Sequence, residues 1–274
     1  MASMRSRLAL PPGPVNLADL DPAARPGAPK KDPLKTHGKQ LSALQERLWA
    51  ESTAGGHRSV LLVLQGMDTA GKGGVTEHVV GACGPIGVQY TAFKKPTSQE
   101  LAHNFLWRIR QRVPGPGMIG VFDRSHYEDV LVVRVHELVP ETEVDRRYAQ
   151  INRFESTLVA KGTTVVKVFL HLSYETQRER LLARLADPDK HWKFHESDID
   201  ERQLWDRYVE AYELALERCN TELAPWYVVP ADDKAYRNWA VARLLHETLD
   251  DLDPQYPRPE FDVKVLRKRL KGKA

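Results

Sequence analysis

The segment Gly66-Met67-Asp68-Thr69-Ala70-Gly71-Lys72-Gly73-Gly74 sets a lysine behind two framing glycines, directly after the apolar run 59–65. Glycines let a backbone turn tightly and approach anionic oxygens. The N–H groups that open the following helix attract the same anions, and Lys72 adds a mobile positive charge. The spacing is that of a phosphate-binding loop, G-x-x-x-x-G-K, with Gly66, Met67, Thr69, Ala70, Gly71, Gly73 and Gly74 as its cradle. The residue after the lysine usually carries a Ser or Thr hydroxyl for magnesium; here it is Gly73, and a carboxylate, Asp68, stands inside the cradle. A carboxylate there repels phosphate unless a cation lies between them. Asp68 therefore reads as a magnesium ligand replacing the missing hydroxyl, against the plainer reading of an aspartate that caps the local turn.

A second group follows about fifty residues after Lys72. The apolar run Met118-Ile119-Gly120-Val121-Phe122 ends in Asp123-Arg124-Ser125-His126-Tyr127-Glu128-Asp129. An apolar strand that ends in aspartate is the other metal-holding feature of nucleotide-hydrolysing and kinase phosphate loops. Arg124 can fork onto phosphate oxygens, and Glu128 is expected to face the same cleft one helical turn on. His126 reads as a hydrogen-bonded structural histidine rather than a general base. The third group is Arg180 and Arg184, on one face of an expected helix. The break Asp187-Pro188 and the basic-aromatic segment Asp189-Lys190-His191-Trp192-Lys193 follow. That placement suits a lid that closes on phosphates, or else a solvated charged helix. Lys94 and Lys95, after the second strand, point to the same edge and extend a basic track that suits a ligand with many phosphates.

These side chains need a scaffold, and the hydropathy pattern supplies one. Strands are expected at 59–65, 88–93, 118–123, 164–172 and 226–229. Helices are expected at 37–51, 71–83, 98–112, 143–161, 175–185, 201–220 and 233–249. Such alternation argues for an α/β fold: a parallel sheet of about five strands, covered on both faces, that binds ligands at the carboxyl ends of its strands. The chain has 274 residues, 42% of them hydrophobic, ample for one such domain. Lys and Arg number 40 against 37 Asp and Glu, a net charge of +3. That balance is too mild to imply nucleic acid. The two cysteines, Cys83 and Cys219, make neither a disulfide framework nor a metal site and read as buried free thiols. No apolar run reaches the roughly 18 residues of a membrane span. Residues 1–10 lack a signal-peptide core before Pro11-Pro12, so the expected location is cytoplasmic, with no membrane partner.

The loop GMDTAGKGG, the stretches FKKPTSQELAHNFLWRI and FDRSHYEDVLVVRVH, and the pair ADPDKHWKF and DERQLWDRY resemble, in this order, the polyphosphate kinase 2 family. The likeness runs from about residue 30 to 260. It implies a P-loop kinase-like three-layer sandwich over 34–260 with a helical lid at about 175–200. A Pro/Ala-rich arm at 1–33 and a basic tail at 261–274 flank it. It implies magnesium-dependent, reversible phosphoryl transfer between inorganic polyphosphate and adenine or guanine nucleotides, with manganese as an alternative ion. It also implies a homotetramer built from dimers. Carried over by position, Asp68 and Asp123 hold the metal, and Lys72 and Arg124 bind the transferring phosphates. Arg184 is the lid arginine with Lys190 and Lys193 near it, and Lys94 and Lys95 lie toward the polyphosphate channel. Glu128 resembles the subgroup that accepts both AMP and ADP. Members of that subgroup often carry Asn where this chain has Asp123. The alternatives are a polyphosphate kinase for ADP alone or AMP alone, and an ATP-dependent kinase of a nucleoside monophosphate or other small acceptor.

Overall fold

A computed structural model describes residues 3–28 and 34–272. Residues 29–33 of the expected arm, with Pro29 and Pro33, and Lys273 of the tail lie outside the described residues. The strands are β1 (Ser59–Gln65), β2 (Val88–Ala92), β3 (Ile119–Asp123), β4 (Thr163–His171) and β5 (Trp226–Pro230). They form one wholly parallel sheet in the order β2-β3-β1-β4-β5, with Leu64 beside Asp123 and beside Val168. The helices are α1 (Met4–Leu8), α2 (Leu34–Thr53), α3 (Lys72–His78), α4 (Ser98–Leu101), α5 (Leu106–Arg110) and α6 (Val132–Val135). They continue as α7 (Glu141–Ala160), α8 (Tyr174–Leu185), α9 (Ser197–Gln203), α10 (Trp205–Arg218), α11 (Lys234–Leu252) and α12 (Val263–Leu270). The expected α/β architecture is present.

All seven residues of β1 are buried, as a strand covered on both faces requires. Its alternation sorts them into two cores. Val60, Leu62 and Leu64 join one with α2, α3 and α11; Leu61 and Val63 join the other with α5, α7 and α10. Each fully buried aliphatic side chain contributes about 1.5–3 kcal/mol of transfer free energy. The chain leaving β1 therefore packs on one face, and the chains leaving its neighbours β3 and β4 pack on the other. A crevice opens at the carboxyl end of β1, where ligands of open α/β sheets bind.

Three expected helices are interrupted. The 98–112 helix is two short ones, because Asn104 Oδ1 accepts the Leu106 N–H at 3.0 Å and starts α5 afresh. The 71–83 helix ends as α3 at His78 and is followed by a separate turn at Val80–Ala82. The 201–220 helix is α9 and α10, broken at Leu204 (φ −90°, ψ 15°). The N-terminal residues pack on the body. Met4 and Leu8 enter the first core, Leu10 and Leu17 the second. Ala9 pairs antiparallel with Tyr227, so this segment covers the exposed edge of β5.

Candidate active site

The loop after β1, the end of β3 and the helices α8 to α10 meet around one cavity. Its walls are Gly66, Met67, Asp68, Arg124, Glu128, Val132, Gln177, Asp198, Glu201, Arg202, Trp205, Tyr208 and Tyr212. Arg124 is its hub. Nη2 donates to Asp68 Oδ1 at 2.9 Å, and Nη1 lies 3.6 Å from Glu128 Oε2. Burial opposes the guanidinium charge, but Glu128 and then Asp68 outweigh it and raise the pKa, so Arg124 is a permanent cation. Glu128 is held from its other side by Gln65 Nε2 at 3.0 Å. It reaches the cleft by a route other than a helical turn from Arg124. Arg124 has a left-handed backbone (φ 63°), Ser125 Oγ accepts the Tyr127 N–H, and a tight turn at His126–Asp129 carries Glu128 forward.

Lys72 is buried, and its Nζ donates to the loop carbonyls of Gly66 (2.7 Å) and Met67 (3.3 Å). Burial, then Arg124, lowers its pKa, while Asp68, Asp123 and Glu128 oppose the fall. Asp123 Oδ2 accepts from Tyr90 Oη at 3.1 Å. Burial and the Asp123 carboxylate push that phenol up to about 12, so it remains a donor. Asp68 and Asp123 are hard oxygen donors at the ends of adjacent strands. No group of three metal-binding side chains occurs among the described residues. Two carboxylates fit magnesium all the same, since that ion commonly takes one or two carboxylates and completes its shell with water and substrate phosphates.

Other expected site residues stand apart. Arg184 Nη1 donates to Lys193 O at 3.3 Å and lies 4.0 Å from Asp198 Oδ2. Lys190 pairs with Asp187 at 2.5 Å, and Lys193 Nζ stands 4.9 Å from the Trp192 ring centroid. Lys94 and Lys95 are exposed beyond β2. No hydrogen bond or ion pair among the described residues joins any of these four lysines to the loop. Met67 and Ala70 are buried in the cores beneath the loop. Thr69 has a left-handed backbone (φ 65°), as does its neighbour but one Gly71 (φ 109°). Gly73 has open space where a Cβ would stand.

His126 is fully buried and bonds Glu155 at 3.1 Å; Tyr127 Oη and Lys167 Nζ bond the same carboxylate at 2.8 and 2.7 Å. It is the structural histidine the sequence suggested. Several contacts had no local signal. Gln177 Nε2 donates to Asp68 O at 3.2 Å, and Arg202 Nη1 donates to Gln177 Oε1 at 2.8 Å. Arg202 also stacks 3.4 Å from the Tyr174 ring centroid. Arg237 reaches the loop from α11. Each depends on pairings across 25 to 167 residues of chain.

Other proteins resemble this chain in sequence, and a solved structure resembles it in fold. An AMP/ADP-polyphosphate phosphotransferase of Meiothermus ruber is 51% identical over 222 residues, 81% of this chain and 82% of its own. An ADP-polyphosphate phosphotransferase of Rhodopseudomonas palustris is 45% identical, covering 82% of this chain and 80% of its own. The crystal structure of Polyphosphate Kinase 2 from Arthrobacter aurescens TC1 superposes with a TM-score of 0.96 at 48% identity, over 99% of this chain and 97% of that one. The profile of the Polyphosphate kinase 2 family matches residues 30–257, and the chain belongs to that family.

Proposed function

We propose that this polyphosphate kinase moves the terminal phosphoryl group of inorganic polyphosphate to AMP and to ADP, reversibly and with magnesium. The observation that carries the reading is the carboxylate inside the phosphate loop: Asp68, bridged by Arg124 to Glu128 on the wall of the lid-side cavity. A terminal phosphate oxygen of the acceptor forms the new P–O bond. The bond from the transferred phosphorus to its bridging oxygen breaks, and polyphosphate leaves one unit shorter. Catalysis of such a step is mostly positioning and charge neutralisation. In this reading Lys72 turns from the carbonyls of Gly66 and Met67 to the transferring phosphate. Arg124 exchanges Asp68 for phosphate oxygens. Arg184 arrives with the lid, which excludes water. Asp68 and Asp123 would hold magnesium, which supplies charge neutralisation at the phosphate oxygens. Trp205, Tyr208 and Tyr212 give the acceptor an aromatic wall.

Glu128 and the name of the Meiothermus relative support two acceptors. The Rhodopseudomonas relative's name favours ADP alone as the second reading. Incubation with polyphosphate and magnesium, with AMP or ADP added separately and products resolved by ion-exchange chromatography, decides between them. The expected result is ADP and then ATP from AMP. Conversion of ADP alone would leave the ADP-only enzyme. Reaction only with ATP as donor would overturn the polyphosphate reading. A homotetramer in the cytoplasm belongs to the same proposal. The apolar Val263, Val265, Leu266 and Leu270 on the exposed eight-residue α12 support burial by a second copy, since so short a helix is marginal alone in water. Light scattering after gel filtration measures the assembly, and a monomer would remove this part.

A further inference from the structure

Two arginines stand behind the phosphate loop, and neither makes an ion pair among the described residues. Arg237, on α11, is 3% exposed. Its Nη1 donates to Ala70 O at 3.1 Å, and its Nε and Nη2 donate to Asn238 Oδ1 at 3.1 and 2.9 Å. Arg180, on α8, donates through Nη1 to Thr69 O (2.8 Å) and Ala70 O (3.3 Å). Its Nη2 donates to Ala231 O (2.6 Å) and Asp232 O (2.8 Å). Every one of these acceptors is a neutral oxygen. Burying a cation without a counter-ion is costly. Burial, and then Arg180, pushes Arg237 down to about 10, and the nearby Asp233 carboxylate offsets only part of that fall. If packing were the sole requirement at this place, an apolar side chain would serve better.

The loop is shaped around the Arg237 guanidinium. A Cβ on Gly71 would stand 1.9 Å from Nη1, and one on Gly74 would stand 2.6 Å from Nη2. Thr69 is β-branched yet left-handed, a strained conformation that persists only where neighbours over-determine it. Its own carbonyl is one that Arg180 holds. In a trans peptide the C=O and N–H point oppositely, so pinning Ala70 O turns the Gly71 N–H away from the arginines.

We propose that Arg237, seconded by Arg180, is a positioning residue of the phosphate loop: it locks the Ala70 carbonyl, presents the Gly71 N–H to a polyphosphate phosphate, and lends the loop a positive charge that no carboxylate within ion-pair distance neutralises. This inference rests on the polyphosphate reading for its ligand. It ties α11 and the base of the lid helix to the chemistry through the loop backbone alone.

The test compares Arg237→Lys, Arg237→Gln, Gly74→Ala and the Lys/Ala double variant with the wild type. The readouts are kcat, KM for polyphosphate and ADP, tripolyphosphate binding by calorimetry, and Tm. Arg237→Lys keeps the charge but cannot span Ala70 and Asn238 together. It is expected to stay folded, to lose about tenfold or more in kcat, and to leave KM for ADP within about twofold. Arg237→Gln also removes the charge and is expected to bind tripolyphosphate about fivefold or more weakly. Gly74→Ala displaces Nη2, so it should slow the wild type and add nothing to Arg237→Lys. A folded Arg237→Lys with wild-type kcat and tripolyphosphate affinity would overturn the proposal, as would additive effects of the two substitutions. If Arg237→Gln does not fold, the other three variants still decide. If the wild type itself does not turn over polyphosphate, the functional reading fails, and tripolyphosphate binding still judges the brace.

Discussion

Asp68 and Arg124 make an ion pair at 2.9 Å with side chains 34% and 41% exposed. Exposed pairs contribute about 0–1 kcal/mol, so this one does little for folding. Asp68→Asn should shift Tm by no more than a few degrees while turnover falls by about a hundredfold or more; a folded variant with near-normal turnover would remove the proposed metal role. Gly73 supplies a sharper version. It occupies the usual hydroxyl position, and a side chain added there would meet no other atom within 4 Å of its Cβ. Gly73→Ser placed on Asp68→Asn is therefore expected to restore part of the magnesium-dependent turnover, read as recovery of kcat in a magnesium titration. No recovery would mean that Asp68 acts other than as the hydroxyl's substitute. At this scale the sequence was highly legible. Asp68, Lys72, Asp123 and Arg124 fall within two short segments, and Asp68 and Arg124, singled out there, do meet on the cavity wall. Gln177 and Arg237 did not show, because nothing in a helix's own sequence says which distant carbonyl its side chain will meet.

The turn that carries Arg124 and Glu128 is anchored from below by a buried network. Lys167 on β4, Glu155 on α7, His126 and Tyr127 are all at most 1% exposed. Burial alone would raise the Glu155 pKa, but Lys167 and then His126 reverse it and hold it below the ordinary carboxylate value. A lowered carboxylate pKa contributes stability that is fully present above the unfolded value and lost as pH falls through the folded one. Glu155→Gln strands the Lys167 ammonium, a change worth about 3–5 kcal/mol. At roughly 2–4 °C per kcal/mol for a domain of this size, Tm should drop on the order of 10 °C. The wild-type advantage should persist at pH 5 and shrink only in more acid solution. Calorimetric Tm across pH 6 to 3 checks both points, and an equal advantage at every pH would contradict the sign. The element scale was also where the sequence reading needed correction. Periodicity found the helices but not the breaks at 102–105, where Asn104 caps α5, and at Leu204, which hydropathy does not mark.

For the whole molecule, a net charge of +3 hides an uneven field. Lys94, Lys95, Lys190 and Lys193 are exposed and free of the loop, while the cavity wall includes Glu128, Asp198 and Glu201. A chain of phosphates meeting exposed lysines should behave as nucleic acid does on a basic surface, with binding that weakens linearly on a logarithmic salt scale. The KM for polyphosphate is expected to rise steeply between 50 and 200 mM salt, ~10-fold or more, and the KM for ADP much less. Lys94→Gln with Lys95→Gln should flatten the polyphosphate slope without changing kcat at saturation. An unchanged slope would place the polyphosphate path elsewhere.

The amino-acid sequence by itself determined the sheet, the phosphate loop, the second aspartate and the family resemblance. These rest on hydropathy period and on residues close along the chain, which short-range physics fixes. Tertiary structure alone decided which face of the sheet each segment covers, that the N-terminal residues close the β5 edge, and that Glu128 arrives by a tight turn. It alone set two arginines on neutral oxygens behind the loop. Those outcomes depend on packing between elements up to 167 residues apart, where the partner of a buried charge is chosen by the fold and not by its neighbours in the chain.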